Sequence, residues 1–294
     1  MPDFSGKHDI SGKHIVGAGW LADNLASPDL VVLDGSWHLP QEKRDPKAEF
    51  AAAHIPGARF FDIDATADHA SPLPHMLATP ENFAARMKAL GVGSGDCVVV
   101  YDASAPGLMS AARIWWNFRV FGHANVAVLD GGLKKWKAEG RPLSSEPAPA
   151  RTALAFAPHF DAGLIRSLDQ MRALVASGAE QVVDARGAGR FAGRDPEPRP
   201  GLKSGHMPGA RNVPFNTLLN ADGTLKTPTE IRAAFEAAGI DLAKPVVTSC
   251  GSGVTAAVLA LALSLIGRAD AGLYDGSWSE WGQESLGLPV ATGA

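Results

Sequence analysis

Cys250 opens the segment Cys250-Gly251-Ser252-Gly253-Val254-Thr255, which follows the apolar run PVVTS and leads into an apolar stretch ending at Ile266. A strand, a short loop and a helix in that order turn several backbone N–H groups toward one point. Glycine admits positive φ, and the following helix adds its positive end. Sulfur held there is favoured as thiolate. The same cradle, built from Gly251, Gly253, Val254 and Thr255, suits a persulfide anion or charge developing on a substrate. A lone cysteine is more often a small packing residue, but the Gly-Ser-Gly flank and the strand–loop–helix setting favour chemistry here. The chain has one other cysteine, Cys97. Two cysteines at this spacing form neither a disulfide scaffold nor a zinc site. A reducing cytoplasm, which keeps such a thiol free, is the expected location.

The elements that must position Cys250 recur along the chain. His54-Ile55-Pro56-Gly57-Ala58-Arg59 returns as His206-Met207-Pro208-Gly209-Ala210-Arg211, and Thr79-Pro80 with Gly91 returns as Thr227-Pro228 with Gly239. Leu129-Asp130-Gly131-Gly132 with Trp136 returns as Tyr274-Asp275-Gly276-Ser277 with Trp281. The matches keep their order, which marks a duplicated domain. At roughly 150 residues per domain, 294 residues suit two. The expected division is 1–143, a Pro-, Ala- and Ser-rich linker at 144–158, and 159–294.

Short apolar runs alternate with helical patterns in each half. LVVLD, CVVVYD and NVAVLD read as strands of the first, and QVVDA, PVVTS and AGLYD as strands of the second. Runs without polar alternation suit strands covered on both faces. Glu81 to Leu90 and Pro228 to Ala238 read as helices, opened by Thr as N-cap and Pro at the first helical position. The expected fold is α/β, with a doubly wound, mostly parallel sheet flanked by helices in each half. Ligands in such folds bind beyond the carboxyl ends of the strands, where Cys250 stands. Aligning VVVYD with VVTSC puts Asp102 in the place of Cys250, so one reactive site per chain is expected, in the second domain.

The net charge of −4 and pI near 6.1 provide no basic field for nucleic acid or an anionic membrane. The stretch from Val254 to Ile266 is too short to span a bilayer, and the N-terminal residues lack the apolar core of a secretory signal.

These features together resemble the two-domain rhodanese family, in particular its 3-mercaptopyruvate sulfurtransferase branch. The resemblance runs from about Trp20 to Trp281. It rests on HIPGARFFDID, DARGAGRFAGRDPEPR, SGHMPGARNVPF, the CGSGVTA loop and YDGSWSEW. It implies tandem rhodanese-like domains and a Cys250 persulfide. The implied reaction moves sulfur from 3-mercaptopyruvate to a small thiol, a thioredoxin-like protein or cyanide, and releases pyruvate. It implies no cofactor and no metal. Arg190 and Arg199 match the family's substrate-carboxylate arginines, and a planar guanidinium grips a carboxylate with paired hydrogen bonds. The competing reading is an Arg-rich surface loop exchanging charge with Asp195 and Glu197. Ser252, His75 and Asp64 match a serine-protease-like triad proposed for this branch, in which imidazole polarises a hydroxyl and is oriented by a carboxylate. Otherwise His75 is a loop residue and Asp64 a cap.

Related chemistries are separable. A phosphatase of this fold needs Arg six residues after the cysteine, where this chain has Ala256. Thiosulfate sulfurtransferases carry Arg and Lys directly after the cysteine, while Gly251 and Ser252 are uncharged. Thiosulfate:cyanide transfer is therefore the second reading, and a non-catalytic rhodanese-domain binding protein the third. His54 and His206 suggest a metal only superficially; a turn-stabilising role fits their repeated setting better. Asp184 and the tryptophans Trp115, Trp116, Trp278 and Trp281 read as structural.

Overall fold

A computed structural model describes residues 8–151 and 155–293. Part of the 144–158 segment and the first seven residues therefore lie outside the described residues. The chain divides into two compact units. The first holds the residues up to Thr66, Ala78–Phe160 and Ala221–Thr224; the second holds Ala67–Leu77, Asp161–Asn220 and the remainder from Leu225. No helix among the described residues is long and apolar enough to cross a membrane.

The first unit contains β1 (Ile15–Val16), β2 (Leu30–Asp34), β3 (Arg59–Phe60), β4 (Cys97–Tyr101) and β5 (Val126–Leu129). They form a parallel sheet in the order β1-β5-β4-β2-β3. The second unit repeats the plan with β6 (Ile165–Arg166), β7 (Gln181–Asp184), β8 (Arg211–Asn212), β9 (Val246–Ser249) and β10 (Gly272–Tyr274). Their order is β6-β10-β9-β7-β8, again parallel. Every residue of β2, β4 and β9 is buried, as the unbroken apolar runs require. The helix Ala256–Leu265 after β9 is buried from Ala256 to Ser264, so the apolar stretch is a core helix.

Local sequence sets the helix starts. Thr79 accepts from Asn82 N at the head of Pro80–Ala89. Thr227 forms a capping box with Glu230 at the head of Pro228–Ala237. The repeated histidines have the turn role: His54 stacks on Phe50 at 4.2 Å and His206 on Phe191 at 3.8 Å. Each donates Nδ1–H to the carbonyl of the ring it covers. The four tryptophans are buried. Arg141 to Arg151 forms no helix or strand, yet it is tied down: Ser144 pairs with His54, and Arg151 bonds Asp96 at 2.7 Å.

Candidate active site

The duplication fixes which residues correspond. Asp34 pairs in register with Tyr101, and Asp184 with Ser249. Gly35 N donates to Tyr101 O and Ala185 N to Ser249 O, both at 2.8 Å. The next residues along, Asp102 and Cys250, are therefore equivalent. Their carbonyls also accept equivalent bonds, from Leu133 N and Trp278 N, each at 3.0 Å.

Asp102 shows what this position of the fold offers an anion. Its buried carboxylate accepts from Ser104 N at 2.9 Å and from Met109 N and Ala111 N at 2.8 Å. Loop amides converge on a negative group carried by the chain itself. At Cys250 the same position holds a thiol on a residue only 2% exposed, with Ser252, Val254 and Thr255 beside it in the loop.

The two loop glycines have different tasks. Gly253 has φ +78°, which only glycine adopts freely. Gly251 has no such backbone; it makes room. A Cβ there would lie 3.1 Å from Arg190 Nη2. The conformational freedom that glycine permits is used at Gly253, and the neighbouring guanidinium explains Gly251.

Arg190 reaches this place from the short helix Ala188–Phe191. Its guanidinium is held by Glu197, with Nη2 2.5 Å from Oε2 and Nε 3.3 Å from Oε1. The Glu197 side chain is 2% exposed and is shared with Arg186, at 2.7 Å. Arg186 is itself buried, bonded to Asp184 and Gly205 O, and stacked 4.3 Å over Trp278. Burial opposes the Arg186 charge, but Asp184 and Glu197 more than offset it, and its pKa is raised. Arg186 is thus a saturated structural cation, whereas Arg190 is 28% exposed along its side chain. Arg199 is half-buried and lines a cavity of about 280 Å³ with Pro72, Pro74, Leu202, Ser279 and Gln283. Ser279 joins that cavity to the cysteine loop: its N and Oγ both donate to Gly251 O, at 2.8 and 2.6 Å.

Ser277 is a second support. Its Oγ accepts from Cys250 N at 3.2 Å and donates to Tyr274 O at 2.8 Å. It is fully buried and adopts φ +49°, where its repeat partner is Gly132. Glu197 is the charge partner that the competing reading gave this loop, and Arg190 does pair with it, though the carboxylate is buried and not on the surface. Ser277 and Ser279 are not foreseen from the sequence. Only the repeat carried a hint, a serine where the first half has glycine.

Ser252 and His75 both belong to the second unit and both are buried. His75 has φ +59° in the segment Ala67–Leu77, which Leu77 N anchors to Asp275 at 2.8 Å. Asp64 belongs to the first unit, in the turn Ile63–Thr66, and accepts from Trp37 Nε1 at 3.1 Å. Cys97 contrasts with Cys250. It is fully buried in β4, and burial, reinforced by Asp29, Asp9 and Asp96, pushes its thiol up to about 12.

Two parallel sheets of one order, with a thiol at the carboxyl end of the second, define a tandem rhodanese architecture. The profile described as rhodanese-like domain matches residues 17–139 and 167–284. Human 3-mercaptopyruvate sulfurtransferase is 47% identical over 274 residues, covering 91% of each chain. Bovine thiosulfate sulfurtransferase is 42% identical over 279 residues, covering 93% of each. Among solved structures, an Escherichia coli 3-mercaptopyruvate sulfotransferase of rhodanese fold superposes with a TM-score of 0.81 at 41% identity, covering 91% of this chain and 99% of that one. The chain belongs to the rhodanese family, in its 3-mercaptopyruvate sulfurtransferase branch. It is an enzyme, a sulfurtransferase.

Proposed function

We propose that the chain moves sulfane sulfur from 3-mercaptopyruvate to a thiol or cyanide through a persulfide on Cys250. The observation that carries this reading is the pairing of an uncharged cysteine loop with Arg190, which Glu197 holds against Gly251. A thiosulfate dianion calls for cations within the loop itself. A donor whose charge sits on a carboxylate calls for a cation one step away, and Arg190 with Arg199 supplies it.

In the first half-reaction the Cys250 thiolate attacks the donor sulfur. The S–S bond forms, the donor C–S bond breaks, and its electron pair leaves on pyruvate enolate. The donor's thiol proton ends on the enolate carbon and yields pyruvate. Ser252 and His75, both of the second unit, carry this proton. The loop amides hold the sulfur-centred charge, as the first-domain amides hold Asp102. In the second half-reaction a thiol, as in a small molecule or a thioredoxin-like protein, attacks the outer sulfur and leaves as a persulfide. Cyanide leaves as thiocyanate. In both cases the Cys250 thiolate is restored. A reducing compartment, the cytoplasm in this reading, keeps that thiolate available.

The test is to incubate the protein with each donor and weigh it. Mercaptopyruvate should add one sulfur, with kcat/KM well above that for thiosulfate. Cys250→Ser should abolish loading while Cys97→Ser loads normally. Loading of Cys250→Ser, or a preference for thiosulfate, overturns the proposal.

A further inference from the structure

The two units carry the same turn at the same sheet edge, but they differ in what lies over it. In the first, Trp136 Nε1 donates to Pro142 O, and Ser144 then pairs antiparallel with His54, at 2.9 and 2.8 Å. The segment continues across the turn. Glu146 O lies 3.0 Å from His54 Nε2, and Arg59 donates to Pro149 O.

The second unit begins in the same way. Trp281 Nε1 donates to Pro289 O, and Ala291 pairs antiparallel with His206, both bonds at 2.9 Å. There the likeness stops. Gly293, which corresponds to Glu146, donates instead to Ala192 O. Beside it an open groove of about 410 Å³ is lined by Phe191, Arg194, His206, Arg211, Asn212 and Ala238 among others. His206 Nε2 and the Arg211 guanidinium are the counterparts of His54 Nε2 and Arg59. Neither has a partner among the described residues.

We propose that this groove docks an extended, acidic, proline-containing segment of a partner protein, seated as Ser144–Ala150 is seated on the first unit. Three features select that occupant. The two unsatisfied groups are set where the first unit meets carbonyls three residues apart, at Glu146 and Pro149, which suits an extended backbone adding to the sheet edge. The first unit's own segment is Ser-Ser-Glu-Pro-Ala-Pro-Ala, whose prolines lack N–H groups that would otherwise require partners on an edge. Finally, the groove is cationic. Its lining includes Arg194 and Arg211 but no carboxylate. Arg194 comes from an insertion, since the stacked Phe and His are residues 50 and 54 in the first unit but 191 and 206 in the second. Charge of this kind speeds association and rejects basic segments. The site lies outside the cysteine loop, so docking there is separable from sulfur loading.

The experiment titrates the full chain into a fluorescein-labelled peptide, Ser-Ser-Glu-Pro-Ala-Pro-Ala, and follows anisotropy. Saturable binding is expected. Arg211→Ala and Arg194→Ala, both at exposed positions, should each weaken it about tenfold, the equivalent of one charge-assisted hydrogen bond. Exchanging the peptide's Glu for Lys should weaken it at least as much. Sulfur loading from mercaptopyruvate should be unchanged in Arg211→Ala. Binding that fails to saturate, or that survives both arginine variants, overturns the proposal. Self-association of the chain that is lost in Arg211→Glu would assign the groove to a second copy and overturn the partner assignment.

Discussion

Arg190 and Gly251 are fitted to each other: the guanidinium Nη2 lies where a Cβ on residue 251 would come within 3.1 Å, and Glu197 holds the same nitrogen at 2.5 Å. Gly251→Ala should therefore push the arginine off its partner without adding or removing charge. The expected result is a fall in kcat/KM for mercaptopyruvate of about tenfold, or ~1.4 kcal/mol, mostly through KM. A pre-formed Cys250 persulfide should discharge to a neutral thiol at the unaltered rate. Slowed discharge with normal loading would show that Arg190 serves the acceptor.

Glu197 is the one carboxylate shared by Arg186 and Arg190, and its side chain is almost wholly buried. Glu197→Ala should leave two guanidiniums short of a partner. Breaking a buried pair from one side costs about 3–5 kcal/mol. Asp184 and Gly205 O still hold Arg186, which puts the expectation at the lower end. Glu197→Gln keeps the shape and should cost less. In both variants the KM for mercaptopyruvate should rise along with the loss of stability in urea. A stable variant with unchanged KM would contradict the holding role.

How far the sequence discloses this site depends on the range of each contact. The repeat is readable because both halves preserve residue types at matched spacing, and this suffices to place Cys250 and Asp102 at equivalent strand ends. The strands are readable because burial on both faces forces unbroken apolar runs. Ser277 and Ser279, and the burial of Glu197 between two arginines, are not, because their work depends on the path of loops. Glu197 lies in the insertion between Phe191 and His206, which has no counterpart in the first unit to read it against. Ser277 sits on a positive-φ backbone that its residue type does not announce. Gly251 reads as a conformational glycine, and only the position of Arg190 reveals that space is its task.

His14 predicts a pH dependence of stability. Burial, with Arg119 nearby, lowers its pKa from 6.5 to about 4, and its ring meets Trp115 edge-on at 5.5 Å. Between pH 6.5 and 4 the unfolded chain binds the proton and the folded chain does not. Stability therefore rises with pH across this window and is lost as pH falls through it. Urea midpoints measured from pH 7 to 4.5 should decline, and His14→Gln should flatten the decline. An identical slope in that variant would place the effect elsewhere.

Ser277 allows the hydroxyl to be separated from the backbone that carries it. Its φ of +49° strains any residue with a Cβ, by about 1 kcal/mol. Its Oγ meanwhile takes the N–H of Cys250. Ser277→Ala removes the hydrogen bond and keeps the strain, whereas Ser277→Gly removes both. The glycine variant should therefore melt about 2–4 °C above the alanine variant, the shift that ~1 kcal/mol produces in a domain of this size. Sulfur loading should fall in both to a similar extent, because each leaves the Cys250 amide unheld and the thiol less well aimed. If glycine restores loading together with stability, the backbone conformation positions Cys250 and the hydroxyl does not.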